Sequence, residues 1–475
     1  MIALSNTLLV MLGTSLLGAV AAIVGSFAVL RRRALVGDLM AHAALPGLCL
    51  AFLVLGYRPL AARWFGAEAI AGGWQFTAML AGAFVTGLAG VACVTLLCRY
   101  TRTKEDAAIG IVLSTFFGAG VVLASLIQNL PTASSKAGLQ TYIYGQAAGM
   151  TREDVRFIAI VAGACLVLVT LLYKEFQVFS FDPGFARAQG WPTLAIDMTM
   201  MGTLALVTVV GLPSVGVVLM AAMLIIPGAA ARFWTNRLGT MLVIAGLIGA
   251  GSGILGTMIS AGTIEEVLGF DPLAFGHNTR NLPTGPVIVL CGTFLFFISM
   301  LFAPQRGVIA RVVRIWSVRR RIERENLLRS LYELAEPQLP ERTTVAWQQL
   351  VDDRSWTATN VRRLARWAAR AGLAEVTPAG ARFTAAGLVS AEQLVRTHRL
   401  WELYLISGAD IAPDHVDRDA DSIEHFLTPE IVARLEAQLA AAGQLPPSET
   451  VVPHSPHEIP AAADPGAAGR EATRG

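Results

Sequence analysis

Charge is scarce in this chain. Asp, Glu, Lys and Arg make up 15% of its 475 residues against 54% hydrophobic residues, and the mean hydropathy is +0.56. A soluble domain carries about 25% charged residues, so a chain lying wholly in water is excluded. The formal net charge of +3 says little about partners, because the charges are grouped by region. Cysteine is sparse as well. Cys49, Cys93, Cys98, Cys165 and Cys291 all lie inside apolar runs without a C-x-x-C pair, which argues against a disulfide framework or a zinc ribbon and leaves them as small buried hydrophobes. The phosphate-cradling pattern G-x-x-x-x-G-K-[ST] is also missing, so the chain is not expected to be an enzyme, and any ATP hydrolysis belongs to a separate subunit. Lysine is absent after Lys174; arginine carries the later positive charge.

What is abundant is long apolar sequence. Runs of about 20 apolar residues read as transmembrane helices, and they fall near residues 6–30, 34–56, 74–98, 107–127, 155–173, 195–211, 213–231, 239–262 and 285–303. The first lacks a basic leader and a small-residue cleavage site, so it reads as a retained span rather than a signal peptide. If the spans alternate, "RRR" at 31–33, "RYTRTK" at 99–104, Lys174, "RFWTNR" at 232–237 and the arginines after Pro304 all fall on one side. That side is cytoplasmic by the positive-inside rule, which puts the amino terminus outside and the carboxyl terminus in the cytoplasm. The break "GLPSVG" at 211–216 leaves eight spans as the alternative to nine, if 195–231 is one kinked segment. Glycines recurring in "GTSLLGAVAAIVG" and "GLIGAGSGILG" read as close helix packing in lipid.

After Pro304 the sequence becomes water-compatible. The expected architecture is an all-α polytopic membrane protein followed by a cytoplasmic winged helix-turn-helix and a helical domain. Its divisions are a transmembrane domain at 1–303, a basic juxtamembrane linker at 304–324, suited to an anionic inner membrane face, the winged domain at 325–390, a helical domain at 391–445, and a Pro, Ala and Gly-rich disordered tail at 446–475.

Two ionisable residues stand out in the second span, "GDLMAHAALPG" (37–47). Asp38 and His42 are four apart, one turn on a single helix face. An ionisable residue costs about 2.5–3.5 kcal/mol in a span and usually faces an interior or a pathway. Carboxylate oxygen with imidazole nitrogen suits Mn, Fe or Zn. The competing reading is structural: Asp38 serving the helix start or "RRR", and His42 bonded to a backbone carbonyl.

That segment resembles the matching one in the permeases of metal-uptake ABC transporters, those for manganese, zinc and iron. "LQTYIYGQAAGMTREDV" (139–155), "FDPGFARAQGWP" (181–192), "LIIPGAAARFWT" (224–235) and "LPTGPVIVL" (282–290) follow in the family's order, so the resemblance covers about residues 1 to 303. It implies that Asp38 and His42 line a metal path, with "IYGQAAG" most like the manganese and iron members and zinc as the alternative. No tightly bound cofactor is implied: Mn2+ or Fe2+ is cargo. The implied partners are an ABC ATPase, an extracytoplasmic solute-binding protein, and a second copy or a related permease. In "FDPGFARAQGWP", Asp182, Ala186 and Gly190 recur every four residues, giving a short helix with small residues on one face; by resemblance this D-x-x-x-A-x-x-x-G helix couples the permease to its ATPase. The acidic stretch 260–281, longer than the family's connection, reads as a solvated outer loop.

In the second half, "WTATNVRRLARWAARAG" (356–372) reads as the recognition helix of a winged helix-turn-helix, with Arg362, Arg363, Arg366 and Arg370 spaced to reach phosphates or base edges. Residues 325–435 resemble the iron- and manganese-dependent repressor family. Its H-x-x-x-E pattern falls on His398 and Glu402, and its [CE]-x-x-E-H pattern on Asp421, Glu424 and His425, which implies a regulatory metal site. The family's first-helix ligand positions hold Asn326 and Arg329 here, and a further histidine position holds Asp417, so the implied site is partial. Three functions follow: a metal-importing permease with a sensing domain; a permease joined to a metal-dependent DNA-binding regulator; or a fused domain kept as a dimerisation module. The alternative for the membrane half is an ATP-independent metal carrier.

Overall fold

A computed structural model describes residues 2–31, 33, 35–56, 74–129, 145, 147–262, 282–339, 344–354, 356–408, 429–441 and 452. It forms two compact units, Met1–Arg311 and Val312–Gly475.

The first unit is a helical bundle. Its helices are α1 (Ile2–Leu30), α2 (Leu35–Gly56), α3 (Trp74–Tyr100), α4 (Glu105–Asn129), α5 (Arg152–Leu171), α6 (Tyr173–Phe181), α7 (Pro183–Ala188), α8 (Thr193–Val215), α9 (Val217–Trp234), α10 (Leu238–Ser260) and α11 (Thr284–Phe302). Eight of them, α1–α5, α8, α10 and α11, are long and apolar enough to cross a membrane, and α9 contributes a shorter apolar stretch, Met220–Trp234. The expected seventh span therefore corresponds to a shorter helix, and the reason is local. Pro213 lies inside the last turn of α8, and Gly216 follows at φ +89°. A side-chain-bearing residue resists that left-handed backbone, so the chain breaks there into two helices instead of continuing as one.

Packing of α1 on α10 rests on small residues. A Cβ on Gly18 would lie 2.4 Å from the carbonyl oxygen of Gly249, and one on Gly249 would lie 2.2 Å from that of Gly18. Backbones this close admit only glycine, as read from the sequence. Beside them the Thr14 hydroxyl donates to the Val10 carbonyl at 2.9 Å and meets the Thr257 hydroxyl at 3.0 Å. Of the spans, α2 is the most deeply enclosed by protein and α5 the least.

The bundle has two chemically different ends. At one, Phe27 of α1 stacks edge-on with Phe176 of α6 at 5.4 Å, and Arg31, Arg33, Glu105 and Asp197 assemble. At the other lies a cavity of about 650 Å³, lined by Asn6, Thr7, Ser214, Thr257, Ser260 and Thr284 among others. Ser214 and Val215 of α8 reach this cavity, so α8 begins at the basic end, where Asp197 stands, and finishes at the hydroxyl-lined one.

Most of α12, one helix from Val308 to Ala335, belongs to the second unit, which starts at Val312. The expected linker at 304–324 and the first helix of the winged domain are thus largely continuous, since nothing between them breaks a helix. Then come β1 (Val345–Ala346), α13 (Trp347–Asp353), α14 (Ala358–Arg370), β2 (Ala374–Val376), β3 (Gly380–Phe383), α15 (Ala385–Gly408) and α16 (Pro429–Ala441). The sheet is antiparallel in the order β1-β3-β2, with Glu375 opposite Arg382. Leu327, Leu331, Leu350, Val361, Ala365 and Val395 sit in its core. The chain order here is long helix, short strand, short helix, helix and hairpin. Thr357 caps α14, its hydroxyl accepting from the Asn360 N–H at 3.3 Å, and Gly372 at φ +73° turns the chain into the hairpin.

Candidate functional site

α2 carries Asp38 in its first turn and His42 one turn further in. The first turn suits a carboxylate, because unpaired N–H groups and the helix dipole favour negative charge there. Asp38 Oδ1 stands 3.3 Å from His42 Nε2; the Asp38 side chain is 36% exposed and that of His42 17%. Phe117 of α4 meets the imidazole edge-on at 4.8 Å. The other ring nitrogen, Nδ1, is buried and has no hydrogen-bond partner among the described residues.

The structural alternatives for the pair are met in part: Asp38 does stand in the first turn of its helix, and Arg32 lies outside the described residues. Arg31 and Arg33 do not go to Asp38. Arg31 pairs with Asp197, and Arg33 pairs with Glu105 and reaches Asp197 Oδ2 at 3.2 Å. Nor does His42 use its Nδ1 on a carbonyl. Among the described residues the pair is left with each other and a phenyl ring. Two donor atoms bound to one first-row ion at about 2.1 Å, at right-angle or tetrahedral spacing, stand about 3.0–3.4 Å apart, so the observed separation fits a shared cation. No group of three or more His, Cys, Asp or Glu gathers around a common point among the described residues. The pair is therefore two donors on the flank of one helix rather than a closed cage.

Asp197 and Glu105 are ion-pairing acids that sequence reading missed. The available signal was the placement of Asp197 as an acid inside the apolar run "PTLAIDMTMMG", where a buried carboxylate needs a cation. Arg31 also lies over the Phe179 ring at 4.2 Å. Part of the arginine cluster is thus committed inside the protein.

The short helix α7 differs from expectation. Asp182 is its N-cap, accepting from the Phe185 N–H at 2.8 Å, Ala186 is fully buried in the bundle core, and Gly190 lies past the helix end at φ +76°. The three residues do not form one outward face: one caps, one packs inward and one turns the chain. Asp182 and Gly190 are exposed, and Phe181, Phe185 and Arg187 share that exposed surface with them; of the three expected residues only Ala186 is buried.

In the second unit, Val361, Leu364, Ala365 and Ala368 bury one side of α14 and leave Arg362, Arg363, Arg366 and Arg370 outside. Arg363 bonds Glu323 at 3.1 Å and Asn360 at 2.6 Å, and Arg366 Nε donates to the Arg362 carbonyl at 3.2 Å. His398 and Glu402 do come together on α15, with His398 Nε2 3.0 Å from Glu402 Oε1. Their neighbour is the guanidinium of Arg329, whose Nη1 lies 3.0 Å from His398 Nδ1 and whose Nε donates to Glu333 at 2.7 Å. Next to it Arg399 holds Glu336 through two bonds of 2.7 and 2.6 Å. Burial works against the Arg399 charge, but this carboxylate prevails and raises its pKa above the ordinary arginine value. Asp417, Asp421, Glu424 and His425 lie outside the described residues, as does most of the 260–281 loop.

Comparison with known proteins finds two matches on the chain. Residues 4–303 match the ABC 3 transport family, and residues 384–446 match the iron dependent repressor, metal binding and dimerisation domain. The manganese transport system membrane protein MntC of Bacillus subtilis is 40% identical over 331 residues, covering 70% of this chain and 68% of the relative. The zinc transport system membrane protein TroC of Treponema pallidum is 37% identical over 311 residues, covering 66% and 92%. Among solved structures, PsaBC from Streptococcus pneumoniae in complex with Fab aligns with a TM-score of 0.50 at 28% identity, covering 64% of this chain and 93% of that one.

Proposed function

The chain belongs to the ABC 3 transport family, and from that premise we propose that it is the membrane subunit of an importer for divalent first-row metal ions, Mn2+ or Fe2+ before Zn2+, with Asp38 and His42 on the ion's path. One observation carries this reading: an aspartate and a histidine in an enclosed apolar helix, 3.3 Å apart, with no cationic side chain and no partner for a buried imidazole nitrogen among the described residues. An ion passing along this flank of α2 supplies what both groups lack. It meets an oxygen and a nitrogen donor, the mixture that suits these metals.

The flank is open in a single chain, and a second copy or a related permease facing it would enclose the path and keep Asp38 from lipid. The basic end of the bundle is cytoplasmic in this reading, so the amino terminus is outside and the cavity of about 650 Å³ opens outward, where a solute-binding protein delivers the ion. The ATPase is a separate subunit, since no phosphate loop occurs in the sequence. It docks on the exposed surface around α7, where Phe181, Phe185 and Arg187 lie beside the exposed Asp182 and Gly190, with Ala186 anchoring the loop from within. The named relatives transport manganese and zinc, which agrees with the donor set and leaves the choice of ion to measurement.

Asp38→Ala and His42→Ala each lower metal accumulation by about 10–100-fold, the usual cost of losing a group that holds or orients a metal. The check is uptake of Mn, Fe and Zn in cells, normalised to transporter in the membrane. Wild-type uptake in both variants removes the pathway role.

A second reading concerns the repressor-like unit, and the outward arginines of α14 favour it: DNA binding through Arg362, Arg363 and Arg366, with the helical part closing a dimer. Regulatory metal, on this reading, is bound through Asp421, Glu424 and His425.

A further inference from the structure

The repressor-like unit contains a histidine and a glutamate placed one turn apart, the half-site from which metal regulation is expected. Its surroundings do not fit a metal ion. His398 is 1% exposed, Glu402 0% and Arg329 2%. A guanidinium has five N–H donors, no acceptor, and cannot be deprotonated in a protein. Its approach to His398 Nδ1 at 3.0 Å therefore fixes the tautomer: Nδ1 accepts, and Nε2 carries the proton that faces Glu402 Oε1 at 3.0 Å. Both ring nitrogens are then in use, and a metal ion binds imidazole through a nitrogen lone pair.

Charge points the same way. Arg329 brings a fixed positive charge to a buried group whose carboxylates among the described residues include Glu333 and Glu402, and a divalent cation entering here would face that charge in surroundings where screening is weak. The arginine is also held in place. Its Nε is bonded to Glu333 one turn along α12, and the adjacent Arg399–Glu336 pair ties α15 to the 3-10 turn that directly follows α12, in the reverse direction, arginine from α15 and acid from the α12 side. Two cross-links of opposite polarity thus fasten these helices, each built around a guanidinium.

We propose that Arg329 is the resident cation of the His398–Glu402 site, so that the chain's own side chain joins α12 to α15 where a metal ion would otherwise do so. This part of the repressor-like unit then keeps its shape whatever the metal supply, and His398 and Glu402 are positioning residues rather than metal ligands. The inference goes beyond the transport reading and stands whether or not Asp38 and His42 carry the ion.

The test counts bound Mn2+ per chain by equilibrium dialysis of the full protein in detergent. His398→Gln and Glu402→Gln are expected to bind as many ions as the wild type. Loss of one ion per chain in either variant, with Arg329 intact, overturns the proposal. Arg329→Ala is expected to gain one ion per chain, and the added His398→Gln change to lose it again. A folded Arg329→Ala protein with no gain refutes the guanidinium as the excluding group. Should that variant fail to fold, the two glutamine variants decide the matter alone.

Discussion

Among the described residues, a carboxylate and an imidazole stand four residues apart on a helix twice, once in each unit. In α2 the order is Asp38 then His42; in α15 it is His398 then Glu402. The intra-pair distances are similar, 3.3 and 3.0 Å. Their circumstances are opposite. The membrane pair lies in apolar surroundings, with partly exposed side chains, no described arginine or lysine beside it, and a ring nitrogen left over. The α15 pair is fully enclosed and has a guanidinium in contact with the imidazole. Spacing alone therefore does not make a metal site; the cation already present decides. A pair whose charge is balanced within the chain is part of the architecture, and a pair left unbalanced in an apolar helix is available to cargo.

The largest expected effect lies at the balanced pair. Breaking a buried ion pair by removing one partner costs about 3–5 kcal/mol, because the remaining charge stays buried without compensation. Arg329→Ala is expected to destabilise the second unit by that amount, read from urea unfolding of the full chain by tryptophan fluorescence. His42→Ala, which removes a group with few protein partners, is expected to leave the unfolding of the protein close to wild type. Equal losses in the two variants would erase the distinction between them.

A second contrast sets two membrane acids against each other. Asp197 has two arginine partners and Asp38 has none among the described residues. Hydrogen bonds to charged groups are worth about 1.5–3 kcal/mol, so Asp197→Asn is expected to lower thermal stability in detergent by that order while uptake per folded molecule stays within about two-fold of wild type. Asp38→Asn is expected to do the reverse, with stability kept and uptake lost. If Asp197→Asn abolishes uptake without lowering stability, Asp197 joins the path and the contrast fails.

Much of this was legible in the sequence. Hydropathy marks the spans because the bilayer sets their length, and Asp38 and His42 stand out because ionisable groups in lipid are costly. The hairpin and α14 follow from Thr357, Gly372 and the spacing of Val361, Leu364, Ala365 and Ala368. Other features were hidden for physical reasons. The partners of Arg31 and Arg33 are an acid 164 to 166 residues away, Asp197, and Glu105 at the start of α4, and no local pattern encodes a tertiary pairing. The period of four in Asp182, Ala186 and Gly190 suggested one helix face, but a positive φ at Gly190 ends the helix first. At Arg329 the sequence showed the wrong residue for a metal ligand. That the same residue meets His398 becomes visible when α12 and α15 are packed together.

The smallest expected effect compares arginines. Arg329 is enclosed and fully committed, whereas Arg362 is exposed on α14 and no side-chain bond ties it to the described residues. Surface substitutions of this kind change stability by within about 0.5 kcal/mol, so Arg362→Ala is expected to unfold like the wild type. If α14 meets DNA through phosphates, the same change is expected to weaken binding about equally across sequences and to reduce the salt dependence of log K by about one. Fluorescence anisotropy of a labelled duplex with the full chain, at several salt concentrations, measures both quantities. Weakening confined to one sequence would place Arg362 on a base edge instead. No salt-sensitive binding in the wild type would leave the outward arginines as a solvated helix face, and the division between committed and available charge would then apply to the membrane pair alone.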